Sequence, residues 1–235
     1  MSIDSAYDLV RRHEPRERLS ASGRIYDDLR QRILSLELPP GTNLLRTELA
    51  AKYEVSQTPL RDALQRLQQD GLVQIFPQSR TMVTKIDIPL IHEASFLRKA
   101  LETEVVRHLA RDASDEVVAK ARSVLEMQEA IAQDPSQLRL FHELDEYFHR
   151  VLFEGSGRGN LHRLIRSRSG HLDRVRRLQV HSPAKIRSIL EGHVAILAGI
   201  EAGEEAAAMA AMRLHLFKRP DWVEEFRVAH AEYFA

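Results

Sequence analysis

Asp145, His149, His193 and His215 are the residues of this chain best suited to chemistry, because each falls on the apolar stripe of a helix-patterned segment. In the first segment Leu138, Phe141, Asp145, Phe148 and Leu152 keep helical spacing, with His149 one turn after Asp145. Ile186, Leu190, His193, Leu197 and Ile200 make the second stripe, and Ala208, Met212, His215 and Leu216 the third. A carboxylate and three imidazoles turned inward without partners would cost several kcal/mol, so they must satisfy one another, hold water or bind a cation. One divalent ion satisfies all four, and this donor set suits zinc before nickel, iron or manganese. Taken singly, each histidine reads as a satisfied core residue; convergence from three helices is what points to metal. The chain has no cysteine, which excludes disulfides and thiolate ligands.

The same ion would make a hydrolytic centre if it activated a bound water beside a base. Glu146 is the adjacent carboxylate, but a helix turns it roughly 100° from Asp145, so no base is evident. A purely structural metal is the other alternative. Arg98 shares a face with Ala94, Leu101 and Val105, and either turns inward or pairs with Glu102, one turn on, at a surface edge. Arg163, Arg166, Arg168, Arg174, Arg176 and Arg177 form a basic run that reads as a solvated or interface face of one helix.

From Pro89 onward the patterns are helical and no strand pattern occurs. Helical segments are punctuated at Asp134-Pro135, Gly155-Ser156-Gly157, Ser182-Pro183 and Gly203, which predicts an all-helical bundle over 87–235. Its last segment, Pro220 to Ala235 with Trp222, Phe226 and Tyr233, is expected to dock as a capping helix.

A different architecture precedes it. Arg24 to Leu36 reads as a supporting helix, Thr47 to Tyr53 as a short one, and Val55–Gly71 as a helix whose Leu60, Ala63, Leu64 and Leu67 pack inward. Ser56 or Thr58 is expected to cap that helix, Pro59 suits its opening turn and Gly71 its left-handed stop. The runs LVQIF and TMVTKI, separated by Pro77-Gln78-Ser79-Arg80, predict a hairpin. Helix-turn-helix plus hairpin makes a winged DNA-binding domain over 23–86, preceded by a flexible polar arm at 1–22. The predicted fold is therefore mainly α, a winged helix-turn-helix with a small β-hairpin followed by an all-α bundle. The formal net charge of +0 argues against bulk nucleic-acid coating, so DNA contact must rest on a local patch. No apolar run nears the roughly 18 residues that span a bilayer, and the opening residues carry no secretory segment, so a cytoplasmic protein without a membrane partner is expected.

The run from Ile25 to Val83, with Pro40-Gly41, Glu48-Leu49-Ala50, the stretch Val55-Ser56-Gln57-Thr58-Pro59-Leu60-Arg61-Asp62-Ala63-Leu64 and Asp70-Gly71-Leu72-Val73, resembles the GntR family of bacterial transcription regulators. Contact with operator DNA is assigned to Arg46, Thr47, Ser56, Gln57, Thr58, Arg61 and Arg80. Relatives usually carry Arg at the position of Gln57 and Gly at that of Arg80.

The second half resembles the FCD domain of the FadR subfamily, whose pattern is Asp-x-x-x-His followed by a His in each of two later helices. Asp145 and His149, Gly192-His193 and Leu214-His215-Leu216 match it, which implies a metal-ligand role for Asp145, His149, His193 and His215. Gly192 departs from the pattern, since relatives usually carry Glu there, and this bears on a contact behind the ligands. The resemblance implies that Arg98 grips the carboxylate of an effector. It also implies a homodimeric regulator, a repressor rather than an enzyme, that responds to a small organic acid such as a sugar acid. The long acyl thioester bound by the subfamily's namesake is not expected, because such proteins are not built around this metal quartet.

Overall fold

Ser20 opens the first helix: its Oγ accepts from the Gly23 amide at 3.2 Å, and α1 (Ala21–Leu34) buries Ile25, Leu29 and Ile33 along one face. The computed structural model describes residues 20–76, 80–178, 183–217 and 221–235. The arm read over 1–22 thus gives up its last residues to a capped helix, and 1–19 lie outside the described residues. Internal contacts divide the chain into two units. One draws on 15–94, 166–180 and 219–235, the other on 95–165 and 181–218.

The first unit holds the winged motif. Helix α2 (Arg46–Lys52) is followed by a turn in which Glu54 takes φ 53°, and then by α3 (Gln57–Gln69). Leu60, Ala63, Leu64 and Leu67 are fully buried against α1 and Leu49, each large side chain contributing roughly 1.5–3 kcal/mol. The α3 stop is a paired one: the Leu72 amide donates to Leu67 O at 2.9 Å and the Gly71 amide to Gln68 O at 3.0 Å, with Gly71 at φ 73°. The expected side-chain cap at the other end is absent, since Ser56 occupies the N-cap position but its side chain makes no capping bond there. Strands β1 (Val73–Ile75) and β2 (Thr81–Val83) pair antiparallel, Val73 opposite Val83 and Ile75 opposite Thr81; the intervening Pro77, Gln78 and Ser79 lie outside the described residues.

The same unit also takes in parts of the segment read from sequence as bundle. The expected single helix through the arginine run breaks at Ser169 into α7 (Gly159–Arg168) and α8 (Gly170–Leu178). Gly170 opens the second of them, and a Cβ on it would stand 2.6 Å from Leu72 Cδ2, so this position lies tight against the end of the winged core. Arg174 is accordingly buried rather than solvated. The C-terminal segment docks here too, as α11 (Trp222–Ala229) and a short 3₁₀ turn. Trp222, Val223 and Phe234 pack with Ile86, Ile91, Leu172 and Val175, and the Ile86 amide donates to Tyr233 O at 2.8 Å.

The second unit is helical. Its members are the later part of α4 (Ile88–Asp112), α5 (Asp115–Ile131), α6 (Leu138–Gly155), the start of α7, α9 (Pro183–Glu201) and α10 (Glu205–His215). Val106, Val124, Leu140, Leu144, Phe148 and Ile196 fill its core. Gly203 at φ 70° turns the chain between α9 and α10, and Gly199 then faces Ala208 while Gly192 faces His215, so the two helices run antiparallel.

Candidate metal centre and DNA-reading surface

Helix α6 has its strongest apolar face where Phe141, Leu144, Phe148 and Leu152 are buried, and that same face carries Asp145 and His149 inward. Helix α9 delivers His193, fully buried and stacked on Phe148 with ring centroids 4.1 Å apart. Helix α10 delivers His215 from its last turn, its ring 4.7 Å from that of His193. One ligand-type atom from each of Asp145, His149, His193 and His215 lies within 4.8 Å of all the others.

Hydrogen bonds behind the ligands decide which nitrogens face the centre. His193 Nδ1 lies 2.8 Å from Gln128 Oε1, an acceptor, so Nδ1 carries the proton and Nε2 the lone pair. His149 Nδ1 lies 2.7 Å from Glu102 Oε2, an ion-pair contact that leaves Nε2 as the ring nitrogen facing His215. Burial alone would push the Glu102 carboxyl up, but the Arg98 guanidinium first, and then the adjacent His149 ring, outweigh it and hold it well below the usual carboxylate range. His215 is held well below the ordinary imidazole value, first by burial and then by His193 and His149, which favours the neutral form that binds metals. His149 Nε2 and His215 Nε2 are 3.3 Å apart, and His193 Nε2 is 3.5 Å from Asp145 Oδ1. The edge of a tetrahedron around an ion with bonds of about 2.0–2.1 Å is about 3.3–3.4 Å, which these two pairs approach, and the remaining separations, up to 4.8 Å, would close on an ion by small side-chain shifts.

Sequence patterns did not point to Glu102 or Gln128 as partners of these histidines. Gln128 was within reach of the same criterion, because it continues the buried stripe of Ala121, Val124 and Leu125. The spacing along α4 marks Glu102 only as the neighbour of Arg98. That pair exists, Arg98 Nε donating to Glu102 Oε1 at 2.8 Å, but it is buried rather than at a surface edge, and Glu102 passes its other oxygen to His149. Gly192 faces the His215 ring, so its departure from the family pattern bears on a ligand rather than on a contact behind one.

The DNA-facing candidates all lie in the first unit and all are exposed: Arg46 and Thr47 at the start of α2, Ser56, Gln57, Thr58 and Arg61 at the start of α3, and Arg80 beside β2. Arg46 Nη2 reaches Thr81 Oγ1 at 3.5 Å, and the Arg80 guanidinium lies 5.0 Å from the Phe76 ring. Arg66, later in α3, is stacked on Tyr26 at 4.0 Å.

An exposed recognition helix with a wing, joined in one chain to an all-helical domain, defines a DNA-binding transcription regulator. Residues 21–83 match the bacterial regulatory proteins of the gntR family and residues 93–218 match the FCD domain. This chain belongs to the GntR family, in its FCD-containing branch. It is 38% identical to an uncharacterised HTH-type transcriptional regulator in an unstable DNA locus of Streptomyces ambofaciens, over 90% of this chain and 88% of that protein. It is 29% identical to the HTH-type transcriptional repressor RspR of Escherichia coli (strain K12), over 90% of this chain and 92% of RspR. The solved structure of E. coli McbR/YncC shares the fold, with a TM-score of 0.73 at 18% identity over 92% of this chain and 99% of that one. The Streptomyces and E. coli K12 relatives are transcriptional regulators, and the chain is a regulator rather than an enzyme, which sets the hydrolytic alternative aside. Among the described residues no helix is long and apolar enough to cross a membrane.

Proposed function

We propose that this protein is a homodimeric repressor released from its operator by a small carboxylate, such as a sugar acid, that binds beside a divalent metal, zinc first among the candidates. The convergence of Asp145, His149, His193 and His215, with Glu102 and Gln128 orienting two of the rings, is the observation that carries the reading. RspR, similar along most of its length, is a repressor, which supports the same sign of regulation here. Asp145, His149, His193 and His215 would hold the metal, which would supply a positive charge to offset the buried Asp145 and to receive an incoming carboxylate. Arg98 grips the effector's carboxylate as well as holding Glu102. Two-fold symmetry matches each recognition helix to one half-site of a palindromic operator, and effector and DNA affinities are linked reciprocally.

A thermal-shift screen of metal-loaded protein against sugar acids and other small carboxylates tests this, since a ligand of the native state raises Tm by mass action. The active acid should weaken operator binding, and Arg98→Ala should lower affinity for it by about 1.5–3 kcal/mol while leaving operator affinity intact. A screen without any effect on DNA binding, combined with unfolding on chelation, would favour a constitutive DNA binder with a structural metal.

Gln57 is proposed to read a base. Glutamine pairs with N6 and N7 of adenine, whereas arginine prefers O6 and N7 of guanine, so Gln57→Arg should replace an adenine by a guanine at one symmetric operator position in a selection from random DNA. Arg61, one turn on, keeps a guanine or phosphate contact, Arg46, Thr47, Ser56 and Thr58 steady the backbone, and Arg80 holds a phosphate or enters the minor groove. Unchanged base preference with merely tighter binding by the arginine variant would reduce Gln57 to a phosphate contact.

A further inference from the structure

We propose that Gly192 is the positioning residue of the metal centre: lacking a side chain, it lets the His215 ring lie against α9 and bring Nε2 to the other donors. The inference rests on the metal-centre reading above. A Cβ at position 192 would stand 2.5 Å from His215 Nδ1, 3.2 Å from its Cγ and 3.3 Å from its Cβ, and the first of these is closer than the ring as it lies in this chain can tolerate, so relatives with Glu at this position must seat the corresponding ring differently.

Nothing in the backbone asks for glycine here. Gly192 lies inside α9, where its φ is not in the left-handed region and where glycine is among the poorest helix formers. Its retention in a helix interior is explained by the ring it faces. Two turns further along α9, Gly199 meets α10 in the same way: a Cβ there would come within 2.6 Å of Ala208 N and 2.8 Å of Ala208 Cα. Two glycines seven residues apart therefore face two α10 residues seven residues apart, and the seam between the helices is tight at both levels. At one level the close approach is backbone on small residue, which serves packing. At the other it is backbone on imidazole, which serves placement.

The placement is economical. Residue 193 offers a ligand from α9 while residue 192 makes the gap for the ligand from α10, and the two rings stand 4.7 Å apart. The His215 ring is the end of a side chain with two rotatable bonds, so an added methyl group at 192 would be accommodated by swinging the ring away. The fold tolerates that shift, but the 3.3 Å approach of His215 Nε2 to His149 Nε2 does not survive it.

The test is a double-mutant cycle read by zinc affinity, measured in competition with a chromophoric chelator, on wild type, Gly192→Ala, His215→Ala and the double variant. Gly192→Ala should bind zinc ten- to a hundredfold more weakly, the loss typical of removing support from a metal ligand. Its metal-free form should melt no lower than wild type, because alanine favours the helix. In the His215→Ala background the added methyl group should cost no further affinity, since the ring it displaces is gone. The visible absorption of cobalt-loaded Gly192→Ala should resemble that of His215→Ala. Wild-type zinc affinity in Gly192→Ala, or an equal loss in both backgrounds, overturns the inference. If Gly192→Ala does not fold, the double variant should; its failure where His215→Ala folds shows a packing role and equally overturns it. Absence of zinc binding by the wild type is a separate result, which removes the metal-centre reading itself.

Discussion

Purified protein should contain about one divalent metal ion per chain by elemental analysis, and His193→Ala protein should lose it on dialysis. Structural zinc sites contribute about 10–16 kcal/mol of apparent binding, so one ligand of four is worth roughly 3 kcal/mol, or about a hundredfold in Kd. His193 should be the most costly of the four to lose. It is fully buried, stacked on Phe148 and oriented by Gln128, so its truncation strands the Gln128 carboxamide and leaves a cavity as well as removing a donor. His215, at the partly exposed end of α10, should release the metal with less damage to the fold. Operator binding in the absence of effector should survive both changes, because Gln57 and Arg61 belong to the other unit. Wild-type metal content in both variants would show that the four side chains satisfy one another without an ion.

The same residues show how far sequence carries the argument. A histidine on an apolar stripe is visible to periodicity, so the convergence of α6, α9 and α10 could be anticipated before any coordinates. Which atom of each ring faces inward could not, because Glu102 and Gln128 reach the rings from α4 and α5, and pairing across helices leaves no mark on local spacing. The recognition helix was legible at its far end, where Gly71 takes the left-handed conformation that glycine alone adopts without strain. At its near end Ser56 occupies the capping position without making the capping bond, since residue type reports capacity and not use. The arginine run misled for a related reason. Charge spacing on a helix reads the same whether a guanidinium meets water or a row of carbonyls, and neither the break at Ser169 nor the packing of Gly170 against Leu72, from a distant part of the chain, leaves a mark on it.

Arg174→Ala should destabilise the winged unit by roughly 3–5 kcal/mol, as read from denaturant midpoints and a fall in operator affinity. The side chain is fully buried, with Nη1 donating to Thr84 O at 2.5 Å, Nε to Gly170 O at 3.3 Å, and Nη2 lying 3.4 Å from Thr84 Oγ1 and 3.0 Å from His171 Nδ1. Thr84 Oγ1 in turn donates to Gly71 O at 2.6 Å, and the Asp87 amide donates to His171 Nδ1 at 3.0 Å. One guanidinium thus ties the stop of the recognition helix, the exit of the wing and the start of the following segment to α8. Burial pushes its pKa down to about 10, partly opposed by Asp173, so it remains charged near neutral pH. Desolvating that charge costs several kcal/mol, which makes the net worth of its bonds smaller than their number suggests. Removal nevertheless strands the Thr84 carbonyl, at about 1–3 kcal/mol, and leaves a cavity. A pH series separates the charge from the packing. Burial first, and then the Arg174 charge, hold the His171 imidazole down at about 4. The folded ring therefore stays neutral while the unfolded chain protonates near about 6.5, so this contribution to stability is intact above that pH and is lost as pH falls toward about 4. Without Arg174 the ring titrates higher and the acid loss is smaller. The stability gap between wild type and Arg174→Ala should accordingly narrow as pH is lowered from about 7 to about 4.5, whereas a constant gap would mean that Arg174 acts through packing and hydrogen bonds alone.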